Sequence, residues 1–267
     1  QIGKNLSPAD AYAVGLAFGT YVRRRGGSKV CIGFDGRDSS PVMTKAVING
    51  LLETGIDIEN IGLGPTPMLY FAVKDRLADG GIMITGSHNP SDYNGFKMVL
   101  QSGPVYGEAV QELGRIAASG DFEPGEGSLR EVDIRETYVE RLLRDLHGKR
   151  PLKVVWDCGN GAAGEITRML TARMPGEHIL LFDEIDGSFP NHHPDPTVDK
   201  NLEDLIRTVR EQECDLGVAF DGDADRIGAV MGPGRRGEVI SRTTSATARP
   251  SAPARCRARS RWRCADS

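Results

Sequence analysis

The sequence predicts an α/β protein of two consecutive units, each a sheet covered by helices on both faces. Three observations predict it. Short β-branched runs alternate with helix-like stretches from Lys29 onward, the pattern of strands and crossover helices. An acidic, Gly/Pro-rich stretch at 120–127 interrupts the alternation, which restarts at Leu152. In both halves an apolar strand runs straight into a polar loop, 85–94 in the first and the segment from Asp221 in the second.

Taken in order, Ser7 caps a first helix, Pro8 suits its first position, Asp10 completes a capping box, and Gly26-Gly27 ends it. Lys29–Phe34 is a β-branched strand leading to Asp35-Gly36-Arg37-Asp38. A helix is expected over 41–54, a strand over 56–63, and another helix opens at Pro65-Thr66-Pro67. Residues 81–84 form a buried-type strand before the polar loop, and 107–118 a further helix. Helical spacing over 137–146 suits a bridge between two domains. The second unit then reads as strand 152–156, glycine-rich turn 157–164, helix to about Ala172, strand 179–182, Pro-rich loop 187–197, helix 201–212 and strand 215–220.

Composition narrows the function. The 267 residues carry a formal charge of −4, but 241–267 hold seven arginines against one aspartate, leaving residues 1–240 at −10. So acidic a body lacks the basic face that nucleic acid requires. No apolar run reaches 18 residues, so no membrane span is expected. Gln1 to Asp10 has neither the basic start nor the apolar core of a secretory signal. Cys31, Cys158, Cys214, Cys256 and Cys264 form no CxxC pair, which points to a reducing, cytoplasmic setting.

Two segments carry chemistry. In Thr85-Gly86-Ser87-His88-Asn89-Pro90, followed by Asn94-Gly95-Phe96-Lys97, a serine sits beside the base and cation that a hydroxyl nucleophile needs. A polar turn whose side chains satisfy backbone groups is the competing reading. In Asp221-Gly222-Asp223-Ala224-Asp225-Arg226, carboxylates at alternate positions can converge on a hard cation; a solvated acidic turn is the alternative. An EF-hand is rejected, because its sixth and twelfth positions would be Arg226 and Gly232 rather than Gly and Glu. A haloacid-dehalogenase phosphatase is rejected too, since its Asp-x-Thr loop lies early in the chain.

Together these motifs resemble those of the α-D-phosphohexomutases, in particular the phosphomannomutase/phosphoglucomutase branch. Asp35-Gly36-Arg37-Asp38, Asp157-Cys158-Gly159-Asn160-Gly161 and the segment from Phe189-Pro190-Asn191-His192 to Asp195-Pro196 are similar to family segments as well. The resemblance covers residues 1–240. It implies mixed sheets in two three-layer α/β/α domains, domain I at 1–130 with the phosphoserine loop and domain II at 131–240 with the metal loop. It further implies that Ser87 is phosphorylated, and that one Mg²⁺ is held by Asp221, Asp223, Asp225 and a phosphoserine oxygen. Lys97 and Arg226 would then lie near the transferring phosphate. His88 would assist proton transfer or hold the loop. The implied reaction interconverts hexose 1- and 6-phosphates of mannose or glucose through a bisphosphate, with glucose 1,6-bisphosphate as activator and the complete protein a monomer. Arg37 is left out of the catalytic set as an ion-pair partner, and His192 and His193 are read as loop residues rather than ligands.

The resemblance also sets three departures. The sequence begins just beyond a family segment whose Tyr and Arg border the active site. The third and fourth domains, which select the sugar and grip the other phosphate, have no counterpart in it. Residues 241–267, without Leu, Ile, Val, Met or Phe, are expected to be disordered, either a basic tail for acidic partners or an out-of-frame reading. Impaired turnover follows as an expectation. A non-catalytic metal-binding remnant and a slow phosphoserine hydrolase stand as alternatives.

Overall fold

A computed structural model describes residues 1–148, 150–232 and 240–242. In chain order the first unit comprises α1 (Pro8–Arg23), β1 (Lys29–Phe34), α2 (Ser40–Glu53), β2 (Asp57–Leu63), α3 (Thr66–Asp75), β3 (Gly80–Ile84), β4 (Phe96–Leu100), β5 (Gly103–Pro104), α4 (Glu108–Ser119) and β6 (Leu129–Glu131). The second comprises α5 (Arg135–Leu143), β7 (Leu152–Asp157), α6 (Gly164–Thr171), β8 (Gly176–Leu181), α7 (Glu203–Glu211), β9 (Leu216–Phe220), β10 (Ile227–Met231) and β11 (Ile240–Arg242), with a 3₁₀ turn at Asp199–Leu202 before α7.

Both sheets are mixed. The first has the order β5-β4-β3-β1-β2-β6, with β3, β1, β2 and β6 parallel and β4 and β5 antiparallel. The second runs β11-β10-β9-β7-β8, parallel from β9 to β8 and antiparallel at β10 and β11. Sequence reading found the central parallel strands; β1 and β3, buried on both faces, are the most nearly continuous apolar runs. It missed β4, β5, β6, β10 and β11, the short strands on the flanks. Ile240–Arg242 pairs with Ile227–Ala229, so regular structure continues two residues into the expected tail. The rest of that tail, 243–267, lies outside the described residues.

The helices settle on their sheets for identifiable reasons. The Ser7 hydroxyl accepts the Asp10 amide at 3.3 Å, and Asp10 Oδ2 accepts the Ser7 amide at 2.8 Å, closing the expected capping box. α1 then crosses α2 at backbone contact. A Cβ on Gly15 would stand 2.3 Å from the Val47 carbonyl oxygen, and one on Gly50 2.3 Å from that of Tyr12. Under these helices lies a core of Phe18, Val30, Ile32, Val47, Leu51 and Ile82.

A second core holds the two units together. Leu69 and Val73 of α3 and Met83 of β3 pack with Tyr138 and Val139 of α5 and with Ile166 of α6, so the helix expected to bridge the domains does so. A third core, under α7, joins Leu205 and Val209 to Val155, Ala219 and Val230. Among the described residues no helix is long and apolar enough to cross a membrane.

Candidate active site and cation centre

Apart from Lys97, which lies on the antiparallel strand β4, the residues of the site follow the carboxyl ends of parallel strands, where open α/β sheets bind their ligands. Asp35 and Arg37 follow β1, Thr66 follows β2, the Ser87 loop follows β3, Asp157 closes β7, and the Asp221 loop follows β9. The two reactive loops are built alike. Each joins a parallel strand to an antiparallel one, β3 to β4 and β9 to β10. The hydrogen bond from the Thr85 amide to the Gly95 carbonyl closes the first at 3.0 Å, and that from the Asp221 amide to the Arg226 carbonyl closes the second at 3.2 Å.

The structure brings all seven expected residues together. Ser87 is 7% exposed and its hydroxyl donates to Asp221 Oδ2 at 2.8 Å, across 134 positions of sequence. The Asp221, Asp223 and Asp225 carboxylates each offer an oxygen within 4.8 Å of the others. Asp221 and Asp223 are fully buried. Lys97, placed opposite Met83 by the β3–β4 register, reaches Asp223 Oδ2 and Asp225 Oδ2, both at 2.6 Å. The remaining oxygens, Asp223 Oδ1 and Asp225 Oδ1, are buried without a hydrogen-bond partner.

Buried carboxylate oxygens left unpaired are costly, and three such groups around one point repel one another. Burial, and after it the charges of Asp223 and Asp225, push the Asp221 carboxyl up to about 7. Burial also acts to raise Asp223, but the charge and hydrogen bond of Lys97 outweigh it and hold that carboxyl below its ordinary value. Such a set of hard oxygens, with two aimed at no donor, fits a divalent cation. The solvated-turn alternative does not survive, because Asp221 and Asp223 are fully buried and only Asp225 keeps part of its side chain exposed.

Arg226 is the second cation at this centre, after Lys97. The Arg226 guanidinium donates to His88 Nδ1 and stands 3.9 Å from Asp221 Oδ2 and 3.8 Å from Asp225 Oδ1. Burial and then the Arg226 charge lower the His88 pKa. Since the Arg226 N–H can only donate, Nδ1 accepts and the ring proton sits on Nε2. His88 is thus held as a donor facing away from Arg226. Its carbonyl accepts from His193 Nε2, which ties the serine loop to the second unit.

Sequence reading passed over several residues that shape the site. Thr66 donates its amide to the Asp223 carbonyl at 2.9 Å and its hydroxyl to the Asp223 carboxylate; nothing in the local sequence marks it. Gly222 lets the two loops touch, for a Cβ there would lie 2.4 Å from the Ser87 carbonyl oxygen. His192 Nε2 pairs with buried Asp157 at 2.9 Å, so both histidines of that loop are structural, as expected. Arg37 is fully buried and engages the serine loop far beyond its ion pair with Asp35.

Sequence comparison agrees with this arrangement. The pattern of phosphoglucomutase/phosphomannomutase alpha/beta/alpha domain I matches residues 1–123, and that of domain II matches 136–234. A phosphomannomutase/phosphoglucomutase of Pseudomonas putida is 43% identical over 233 residues, 87% of this chain and 50% of the relative. A phosphoglucomutase of Neisseria gonorrhoeae is 42% identical over 235 residues, 87% of this chain and 51% of its own length. The crystal structure of a phosphoglucomutase/phosphomannomutase family protein from Burkholderia thailandensis superposes with a TM-score of 0.84 at 43% identity, covering 89% of this chain and 53% of that one. The chain thus spans about half the length of the curated relatives it matches. With both domain patterns matched in order and the serine and aspartate loops meeting at their junction, the chain belongs to the phosphoglucomutase/phosphomannomutase family.

Proposed function

We propose that this chain carries the phosphoserine and magnesium part of a hexose-phosphate mutase site, with Ser87 taking a phosphoryl group from a hexose bisphosphate and returning it to a hexose monophosphate. One observation carries the reading. A buried serine hydroxyl lies 2.8 Å from a carboxylate of a three-aspartate cluster that has two unpartnered oxygens. The names of the relatives support mannose and glucose phosphates as the substrates.

Asp221, Asp223, Asp225 and the Ser87 oxygen would hold the magnesium ion. When bound it would supply positive charge to the phosphoryl group in flight, the main requirement of such transfers. The chain's own groups do the rest. The proton that leaves Ser87 has Asp221 Oδ2 beside it. As the Ser87 oxygen bonds to phosphorus the bond to the sugar oxygen breaks, and that oxygen takes up a proton. Lys97 and Arg226 add fixed charge for the phosphate oxygens, and His88 offers its Nε2 proton. Glucose 1,6-bisphosphate would prime the serine. The free, buried thiols of Cys31, Cys158 and Cys214 support a cytoplasmic setting.

Transfer to Ser87 is the step these residues account for, so the experiment reads that step. Intact mass is measured after incubation with glucose 1,6-bisphosphate and Mg²⁺, alongside Ser87→Ala and Asp223→Asn. One added phosphate in the parent and none in either variant is expected. No addition to a folded parent would refute the reading, and addition followed by steady release of inorganic phosphate would favour a phosphoserine hydrolase.

A further inference from the structure

We propose that Arg37 is a positioning residue for Ser87, holding the serine loop by its carbonyl groups so that the hydroxyl is presented to the aspartate cluster. The inference rests on the reading of Ser87 as the phosphoryl acceptor. It deepens that reading by assigning the group that sets the serine's geometry.

The geometry is a count of donors. A guanidinium has five N–H groups in a rigid fork, and all five are used. Nε donates to Asp35 Oδ2 at 3.0 Å. One terminal nitrogen donates to the carbonyls of Ser87 at 2.7 Å and Asn89 at 2.8 Å. The other donates to the carbonyls of Pro90 and, at 3.0 Å, Tyr93. The side chain is wholly shielded from solvent, so these bonds do not compete with water. Few arrangements other than such a fork satisfy four carbonyls from one point.

The clamp fixes what the loop cannot fix for itself. Ser87 has φ = 51°, a left-handed conformation that a non-glycine residue holds only when its surroundings impose it. With its carbonyl turned inward to Arg37, its hydroxyl turns toward Asp221. Gly86 is required by the same contact, since a Cβ there would meet the guanidinium carbon at 2.4 Å. Asp35 completes the device. Its carboxylate accepts the Thr85 hydroxyl at 2.8 Å and the Gly86 amide at 3.1 Å, while the Thr85 hydroxyl in turn accepts the Ser87 amide at 2.8 Å. Four carbonyl oxygens are thereby directed at Arg37, and none of them is free to face an incoming phosphate.

Two kinds of measurement separate this role from that of an ordinary buried ion pair. In the labelled full chain, Ser87 should show left-handed backbone chemical shifts. The amides of 87–93 other than Pro90 should be as ordered on the picosecond–nanosecond timescale as those of β3. Arg37→Lys keeps a charge for Asp35 but not the fork. It should lose the Ser87 signature and slow phosphoryl uptake from glucose 1,6-bisphosphate by roughly 100-fold, with half-saturation little changed and the chain still unfolding in a cooperative transition. Millimolar guanidinium should restore part of the rate in Arg37→Ala. A disordered loop in the parent overturns the proposal even if neither variant folds, as does an Arg37→Lys chain that keeps both signature and rate. Absence of uptake in a parent with the expected spectra would instead count against the phosphoserine reading, leaving the clamp to be judged by the spectra alone.

Discussion

At the scale of single residues, burial decides how charge can be used. Asp157 is fully buried and its partner His192 is largely so. Burial acts to lower the His192 pKa, but the hydrogen bond and charge of Asp157 outweigh it, and the pKa is raised above the ordinary histidine value. A histidine whose folded pKa is raised contributes stability that is fully present below the unfolded value of about 6.5 and is lost as pH rises through the folded one. His192 also holds the Pro-rich loop against the turn after β7, with its Nδ1 on the His193 carbonyl at 3.0 Å. Replacing Asp157 with Asn should therefore cost about 1–3 kcal/mol at pH 5.5 and less at pH 9, as read by urea unfolding at the two values. An equal cost at both would show that the pair contributes nothing through its charge.

At the scale of elements, helix contacts depend on residues that propensity disfavours. Glycine inside a helix costs about 1 kcal/mol relative to alanine, yet Gly50 lies in α2 where a Cβ would stand 2.3 Å from the Tyr12 carbonyl oxygen and 2.7 Å from the Leu16 amide. Gly50→Ala should gain propensity and still lose about 1–3 kcal/mol through forced separation of α1 and α2, measured as a lower urea midpoint. The same contrast between local and tertiary information explains what could be read from sequence. α1, β1, β3 and β9 were legible because capping residues and unbroken apolar runs belong to the local chain. β6, Leu-Arg-Glu, is exposed throughout and exists only by pairing with Ile58–Asn60. β4 and β10 were read for the chemistry of Lys97 within the first and Arg226 just before the second, and their short runs supply little periodicity of their own. The two loops stood out by residue type and spacing, a serine beside a histidine and carboxylates at alternate positions, while the roles of Lys97, His88 and Arg226 came from the resemblance to a known family. Thr66, from a helix start 157 positions before Asp223, declares nothing until the chain folds.

At the scale of the whole molecule, the two units share a core. Leu69, fully buried, belongs to the same cluster as Tyr138, Val139 and Ile166, which lie on α5 and α6. A two-domain chain held by a large apolar contact is expected to unfold as one unit rather than two. Leu69→Ala should therefore destabilise the protein by about 2–5 kcal/mol and lower the transition reported by Trp156 in the second sheet. The experiment is best run with Trp262 replaced by Phe, so that Trp156 is the only indole. A Trp156 transition that ignores the substitution would mean that the second unit melts independently.

The bond between Ser87 and Asp221 spans 134 positions, and this has a bearing on the life of the chain during synthesis. Translation supplies residues one after another, at about 5–20 per second, so the serine emerges several seconds before the aspartates that complete its surroundings. During that interval the first sheet can form, since its strands all precede residue 132, but the hydroxyl has no carboxylate beside it. If Ser87 is the phosphoryl acceptor proposed above, the nascent chain would be unreactive toward sugar phosphates until its second sheet has closed. On that reading, uptake of phosphate by Ser87 would report that both sheets are in place.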